Sequence, residues 1–201
     1  MTSAAYPLKL SFQLVSLAPR IRVVDATGAS LMYVQRKVMS IKEQEKVFES
    51  EKQAQQLYSI QADRYIGFSA RYYFRDMSGR EIGSVKHQGM RSLWKAHFDI
   101  YPPAAEEPTH YISEDNPWLK VMDSLLSDVA LVSMFSGYIF LPSYTLHRTS
   151  DDAPILQFKK EPSFFNRSFS IQKIDESLSD DEERLMLLSV LQAVQLERTN
   201  T

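Results

Sequence analysis

The 201-residue sequence predicts a mainly β protein in which an antiparallel sheet closes around a helix near the C-terminus. Two observations lead to this fold class. Strand–turn–strand units of a common design recur along the chain, and repeated hairpins favour a closed sheet because closure removes exposed edges. A helical segment near the C-terminus is apolar over most of its circumference, so it must be surrounded by other protein. The length is that of a single domain, expected over residues 1–201.

The clearest units are two hairpins with the same turn chemistry. Each combines β-branched and apolar strands with a turn that begins at an aspartate and ends at a glycine able to take positive φ. Asp25 and Asp76 are 51 positions apart, as are Gly28 and Gly79, which indicates an internal repeat. The predicted strands are 21–25 and 31–37 in the first hairpin, and 68–75 and 81–87 in the second.

Two further strand groups complete the β pattern. Residues 46–48 and 57–60 are interpreted as a strand pair around a polar turn, although a helix over 40–56 is a rival interpretation because Ser40 and Glu43 have capping-box spacing. A third copy of the repeat lacks the turn glycine. Its strands are predicted at 144–148, 155–160 and 169–171, with a turn at 150–153.

Two helices are expected. Asn116 and Pro117 form a good helix start, and the i, i+3, i+4 spacing of apolar residues predicts a one-faced, inserted helix over 117–135. The second helix, over 180–197, begins with a capping box and four acidic residues. A thin polar stripe runs along it at Ser189, Gln192 and Gln195. The apolar remainder predicts a central helix whose most buried side chains are Leu187, Leu188, Leu191 and Val194.

These elements resemble the tubby C-terminal-like superfamily, and most closely its LURP-one-related branch of bacterial type. The resemblance covers nearly the whole chain, from about Tyr6 to Arg198. It implies a closed barrel of about twelve strands around a central hydrophobic helix, and it implies phospholipid association by analogy with tubby and scramblase-like relatives. The segments that carry it are 22–28, 76–83, 89–95, 160–165 and the closing helix with 196–198.

The composition excludes several kinds of chemistry. Without cysteine there is no disulfide, no thiolate nucleophile and no zinc–thiolate site. The four histidines lack metal-ligand spacing, and six glycines leave little room for a phosphate-binding loop. No nucleophile elbow occurs. The sequence therefore predicts no catalytic residue, no metal and no cofactor, and the net charge of −2 argues against a nucleic-acid partner.

The sequence also shows no recognisable secretory signal or membrane-spanning segment. The first residues lack a basic region followed by an apolar one, as a secretory signal would have. The most apolar stretch, 129–141, is shorter than the ~20 residues that a spanning helix needs. We expect no transmembrane span and a cytoplasmic location. If the protein binds lipid, we expect it to lie at the periphery of the membrane.

The charge distribution supplies the candidate site. Residues 71–97 hold six Lys or Arg against two acids, with aromatic residues interleaved. This composition suits anionic lipid headgroups, or alternatively another anionic ligand or single-stranded nucleic acid. The ordinary explanation is alternation on a barrel wall, with aromatic residues inside and charges outside. A second candidate contact, with a membrane or a partner protein, is the apolar segment 133–142, whose ordinary explanation is a helix end followed by a buried strand. The candidate lipid- or anion-binding residues are Lys86, Arg91, Trp94 and Lys95.

The predicted function is a non-enzymatic barrel that associates with anionic phospholipid or with a protein partner at the membrane surface. The alternative is a soluble small-ligand-binding or regulatory protein, or an enzyme with an unrecognised site. A deep pocket lined by convergent polar side chains would favour this alternative, whereas a filled barrel would count against an enzyme.

Overall fold

The computed structural model describes residues 4–13, 20–36, 44–63, 70–88, 97–115, 141–162 and 167–199. In this part of the chain, twelve strands form a closed antiparallel barrel, in which each strand pairs with its neighbour in sequence and β12 closes on β1. The strands are β1 Leu8–Gln13, β2 Arg20–Val24, β3 Ser30–Arg36, β4 Gln44–Phe48, β5 Gln56–Ala62, β6 Arg71–Asp76, β7 Glu81–His87, β8 His97–Tyr101, β9 His110–Glu114, β10 Ser143–Arg148, β11 Pro154–Glu161 and β12 Ser168–Lys173.

The repeated turns have the geometry that their sequence predicts. Asp25 Oδ1 accepts hydrogen bonds from the backbone N–H of Thr27 and from its hydroxyl, at 2.9 and 2.6 Å. Asp76 Oδ1 accepts the same two bonds from Ser78, at 2.9 and 2.6 Å. Gly28 and Gly79 have φ angles of 86° and 84°. An aspartate that bonds the backbone two residues on, followed by a glycine with positive φ, thus makes the same turn twice.

The up-and-down order of the strands gathers these turns at one end of the barrel, because alternate connections of such a sheet meet at the same edge. We call this the turn end. It comprises the segments 25–29, 49–55, 76–81, 102–109, 148–153 and 174–184, the last of which leads from β12 into the helix.

The helix, α1 (Asp180–Thr199), starts at the turn end and runs through the barrel. Ser179 and Glu182 form the predicted capping box: Glu182 Oε2 accepts from the Ser179 N–H at 3.0 Å, and the Glu182 N–H donates to Ser179 Oγ at 3.3 Å. Leu187, Leu188, Leu191 and Val194 are all buried, as predicted. They belong to one hydrophobic core with the inward residues of the strands.

The polar stripe of α1 is also enclosed, since Ser189, Gln192 and Gln195 are 0%, 1% and 7% exposed. Ser189 donates its hydroxyl to the Leu185 carbonyl at 2.8 Å. Gln195 donates through Nε2 to Oε2 of Glu45, an inward residue of β4, at 2.7 Å. Hydrogen bonds within the barrel therefore offset the cost of burying part of this stripe.

Most of the predicted strands are confirmed. The pair around the turn at 51–55 forms β4 and β5, so strands and not a helix occupy residues 44–48 and 56–62. The third repeat copy forms β10, β11 and β12. Three strands for which the sequence analysis gave no bounds, β1, β8 and β9, complete the wall. The predicted helix over 117–135 and the apolar stretch to residue 140 lie outside the described residues.

Candidate functional site

Lys86 is the member of the candidate lipid-binding set that the structure describes. It lies on β7, near the barrel end opposite the turn end, beside Arg71 of β6 and Asp99 of β8. Burial acts to raise the pKa of Asp99, but two hydrogen-bonding neighbours and the charge of Lys86 outweigh it and lower the pKa. Lys86 therefore has an ionised carboxylate next to it. The remaining candidates lie outside the described residues: Arg91, Trp94 and Lys95.

The basic stretch 71–97 does not form one continuous surface in the described structure. Arg80 lies at the turn end, where its Nε donates to Asp76 Oδ2 at 3.1 Å. Arg71 is held against the wall, with its guanidinium carbon 3.9 Å from the centroid of the Tyr101 ring. Alternation along a barrel wall therefore accounts for much of this stretch. Its inward aromatic residues are Tyr72 and Phe74.

A cavity of about 680 Å³ opens at the turn end, within the range of small-molecule sites. The β6–β7 turn, the β8–β9 loop, the β10–β11 turn and the start of α1 line it. Its apolar surface comes from Ile82, Leu185 and Met186 together with prolines of the β8–β9 loop. Its polar and charged residues include Arg80, Glu81, His110, Arg148, Asp181 and Glu182.

His110 lines this cavity from the start of β9 and is 7% exposed. Its Nδ1 lies 2.9 Å from the hydroxyl oxygen of Thr109. Among the described residues, Nε2 has no hydrogen-bond partner. Burial, reinforced by the positive charge of Arg148, lowers the pKa of His110. The imidazole is therefore neutral at neutral pH, and Nε2 is free to bond a ligand in the cavity.

The two arginines of the cavity already have carboxylate partners. Arg148 donates from Nη1 to Asp151 at 3.1 Å and from Nη2 to Asp175 at 2.6 Å. Arg80 pairs with Asp76, as described above. Each positive charge is therefore matched by at least one carboxylate outside the cavity lining.

Two acidic residues of the cavity, Glu81 and Glu182, form no ion pair in the described part of the chain, although the charge of Arg148 contributes to the lowered pKa of Glu182. Glu81 accepts only a long bond, 3.4 Å, from the Ala104 N–H. Glu182 uses Oε2 for the helix cap, and the hydrogen bonds from Ser179 lower its pKa. Oε1 of Glu182 remains for another donor. The cavity lining thus holds three carboxylates, Glu81, Asp181 and Glu182, against two arginines whose ion-pair partners lie outside the lining.

The whole turn end is acidic. Its segments hold fifteen carboxylate residues and four Lys or Arg, in a chain with 25 acids and 23 Lys or Arg. The four bases are Lys52, Arg80, Arg148 and Arg184. The acids are Asp25, Glu49, Glu51, Asp76, Glu81, Glu106, Glu107, Asp151, Asp152, Asp175, Glu176, Asp180, Asp181, Glu182 and Glu183.

A separate aromatic stack lies on the outer wall. The Tyr111 ring of β9 lies between His97 of β8 and His147 of β10, with ring centroids 5.2 and 5.1 Å away. The Tyr111 hydroxyl donates to the Asp152 carboxylate. Burial and this carboxylate raise the pKa of Tyr111 to about 12. These histidines are therefore residues of the barrel wall. In the described ranges, no group of three or more His, Asp or Glu is placed to hold a metal ion.

The cavity was not predicted from the sequence. Glu81, His110 and Glu182 lie on three segments that are distant in the chain, and none belongs to a recognisable motif. The signals available were the proline-rich segment 102–108 and the acidic start of α1, and neither indicates by itself that the two meet.

Among the residues that the structure describes, no helix has the length and apolar character needed to cross a membrane.

Comparison with known proteins gives the family of the chain. A crystal structure of a protein from Arabidopsis thaliana is similar, with 12% sequence identity, a TM-score of 0.48, and coverage of 96% of this chain and 93% of that one. No curated protein matches. Residues 30–187 match the profile of the LURP-one-related family, which is well over half of the chain and spans β3 to the middle of α1. This match shows that the chain belongs to the LURP-one-related family.

Proposed function

We propose that this chain is a non-enzymatic binding barrel that attaches to anionic phospholipid through the end opposite the turn end. The contact residues in this proposal are Lys86 on β7 and Arg91, Trp94 and Lys95, which follow it in the sequence. Lys and Arg near an anionic surface contribute about 1 kcal/mol each, and tryptophan favours the membrane–water interface.

The observation that carries the proposal is the unequal distribution of charge. Fifteen acids against four bases at the turn end would repel an anionic membrane, so that end would face the solvent. Lys86 lies toward the other end of the barrel, where β7 ends at His87. The other two positively charged candidates, Arg91 and Lys95, follow Lys86 within nine positions of the sequence.

The filled interior supports a binding role over catalysis. The helix occupies the barrel and its side chains pack into one core with the strands, so the open space described above lies at the turn end and not along the barrel axis. These features favour binding of a partner or a membrane at the outer surface of the barrel.

Co-sedimentation with liposomes tests the proposal. The triple variant Lys86→Glu, Arg91→Glu, Lys95→Glu is compared with wild type on neutral phosphatidylcholine vesicles and on vesicles that also contain phosphatidylserine. We expect wild type to bind only the anionic vesicles, with binding that weakens as salt rises. The triple variant should lose more than about a hundredfold in affinity.

A matched control has the same change in net charge on strands of the wall that do not adjoin β7: Lys9→Glu, Arg22→Glu, Lys46→Glu, on β1, β2 and β4. It should bind anionic vesicles much more strongly than the first triple variant does. Equal losses in the two variants would contradict the assigned surface. A wild-type protein that does not bind anionic vesicles would refute the lipid proposal and favour a protein partner.

A further inference from the structure

The cavity at the turn end has the features of a ligand site that the lipid proposal does not use. It is about 680 Å³ in volume, its apolar wall includes Ile82, Leu185 and Met186, and a few polar groups are placed among them. Small-molecule sites have this combination of a mainly apolar surface and a small number of oriented polar groups.

His110 is the strongest indication that something binds there. It is more than nine-tenths buried, and its Nε2 has no partner in the described structure. Nε2 is not among the fully covered polar atoms, so it can be reached from the cavity, where a donor group of a ligand would find an unused acceptor. When Nδ1–H donates to the Thr109 hydroxyl oxygen, Nε2 is a hydrogen-bond acceptor.

The charges of the cavity decide which ligand suits it. Arg80 and Arg148 form ion pairs with carboxylates outside the cavity, whereas Glu81 and Glu182 form no ion pair in the described ranges, although the charge of Arg148 acts on Glu182 from a longer distance. The surrounding turn end is acidic as well. An anionic ligand would enter a region of negative potential, whereas a cation would be attracted to it.

We propose that this cavity binds a small organic amine in its ammonium form. The ammonium group donates hydrogen bonds to the carboxylates of Glu81 and Glu182 and to Nε2 of His110, and the apolar body of the ligand packs on Leu185 and Met186. The proposal is independent of lipid binding, because the cavity and Lys86 lie toward opposite ends of β7.

Three compounds of similar shape and different charge test this assignment: 2-phenylethylamine, 2-phenylethanol and phenylacetate. Binding to the full chain is followed by NMR, through the ring signals of His110 and the backbone amides of 102–110 and 181–186. We expect the amine to shift these signals with an affinity roughly tenfold or more above that of the alcohol, since a charged hydrogen bond is replaced by a neutral one. Phenylacetate should bind more weakly still.

Variants separate the roles of the polar groups. His110→Phe keeps a ring of similar size and removes Nε2. Glu182→Gln removes the charge while a glutamine can still form the capping box. Each should weaken amine binding by roughly tenfold. Glu176→Gln is the control, because this exposed acid belongs to the turn end but does not line the cavity. The Glu176→Gln variant should bind the amine with the affinity of the wild type.

Circular dichroism establishes that each variant is folded before its binding is measured, and Glu81→Gln provides a further charge-removing variant at a turn if another fails to fold. Stronger binding of phenylacetate than of the amine would overturn the proposal. So would the absence of amine binding, or wild-type affinity in His110→Phe and Glu182→Gln.

Discussion

Gly83 provides a direct test of how α1 sits inside the barrel. It lies in β7 with a φ of 146°, a conformation that L-residues rarely adopt. A Cβ added there would lie 2.6 Å from Cδ1 of Leu185 in α1 and 2.6 Å from the carbonyl oxygen of Tyr101 in β8. The helix therefore packs directly on the β7 backbone, and a methyl group at this position has no space.

Gly83→Ala should be strongly destabilising for two reasons. The backbone strain costs about 1–3 kcal/mol, and overpacking of a filled core typically costs a further 1–3 kcal/mol. We expect the free energy of unfolding to fall by about 2–6 kcal/mol, a large part of the total for an ordinary domain. The measurement is equilibrium unfolding in urea, followed by far-ultraviolet circular dichroism.

Gly79→Ala is the matched control. Its φ is also positive, at 84°, but an added Cβ would have no atom within 4 Å. Gly79→Ala should therefore lower the free energy of unfolding only by the cost of placing alanine in a left-handed backbone conformation, about 1–2 kcal/mol. The reasoning is refuted if the two substitutions destabilise the protein equally. Gly83→Ala combined with Leu185→Ala should be less destabilised than the sum of the two single variants, because Leu185→Ala removes the side-chain overlap and leaves the one with the carbonyl oxygen.

Three further predictions concern the helix, the turns and the buried histidine. Leu191→Ala should lower the free energy of unfolding by about 2–5 kcal/mol in the same urea assay, because Leu191 is 1% exposed. Hydrogen bonding from Ser78 is the largest cause of the lowered pKa of Asp76. Ser78→Ala should therefore raise the pKa of Asp76, as measured by a carboxyl-carbon NMR titration. The stability that the Asp76 carboxylate contributes is present above the ordinary Asp pKa and is lost as the pH falls through the lowered pKa of the folded protein. The pKa of His110 is lowered chiefly by burial and then by Arg148, so protonation disfavours the fold as pH falls through the ordinary histidine range; His110→Phe should remove this part of the stability loss between about pH 7.5 and 5.

Failure of each prediction has a clear meaning. A Leu191→Ala variant as stable as wild type would contradict the central position of α1. An unchanged Asp76 pKa in Ser78→Ala would show that the hydroxyl bond at 2.6 Å does not govern the carboxylate. An identical pH dependence of stability in His110→Phe would show that His110 titrates as it does in the unfolded chain.

Local chemistry explains why the turns and the helix were predictable. An aspartate that bonds the backbone two residues on, followed by a glycine, specifies a turn within a few residues, and both repeats have this geometry. Ser179 and Glu182 similarly specify the start of α1 within one helical turn. The apolar circumference of α1 predicted its burial, because solvent cannot cover such a surface without cost.

The candidate basic surface shows that residues close together in the sequence need not lie on one surface of the folded protein. Arg80 and Lys86 are near each other in sequence, and the sequence analysis placed them in one basic stretch. In a strand, six positions span about 20 Å, so the two residues lie toward opposite ends of the barrel. Arg80 consequently belongs to the acidic turn end, paired with Asp76, and Lys86 belongs to the other end.

The sequence by itself determined the strand repeats, their turn chemistry and the need for a surrounded helix, because each depends on residues a few positions apart. Only the tertiary structure decided the pairing of β12 with β1, the acidic turn end and the cavity. Glu81, His110 and Glu182 come from a turn, a strand start and a helix start that share no local signal. Their meeting depends on closure of the sheet and on the direction in which α1 enters it, and these are properties of contacts between residues far apart in the chain.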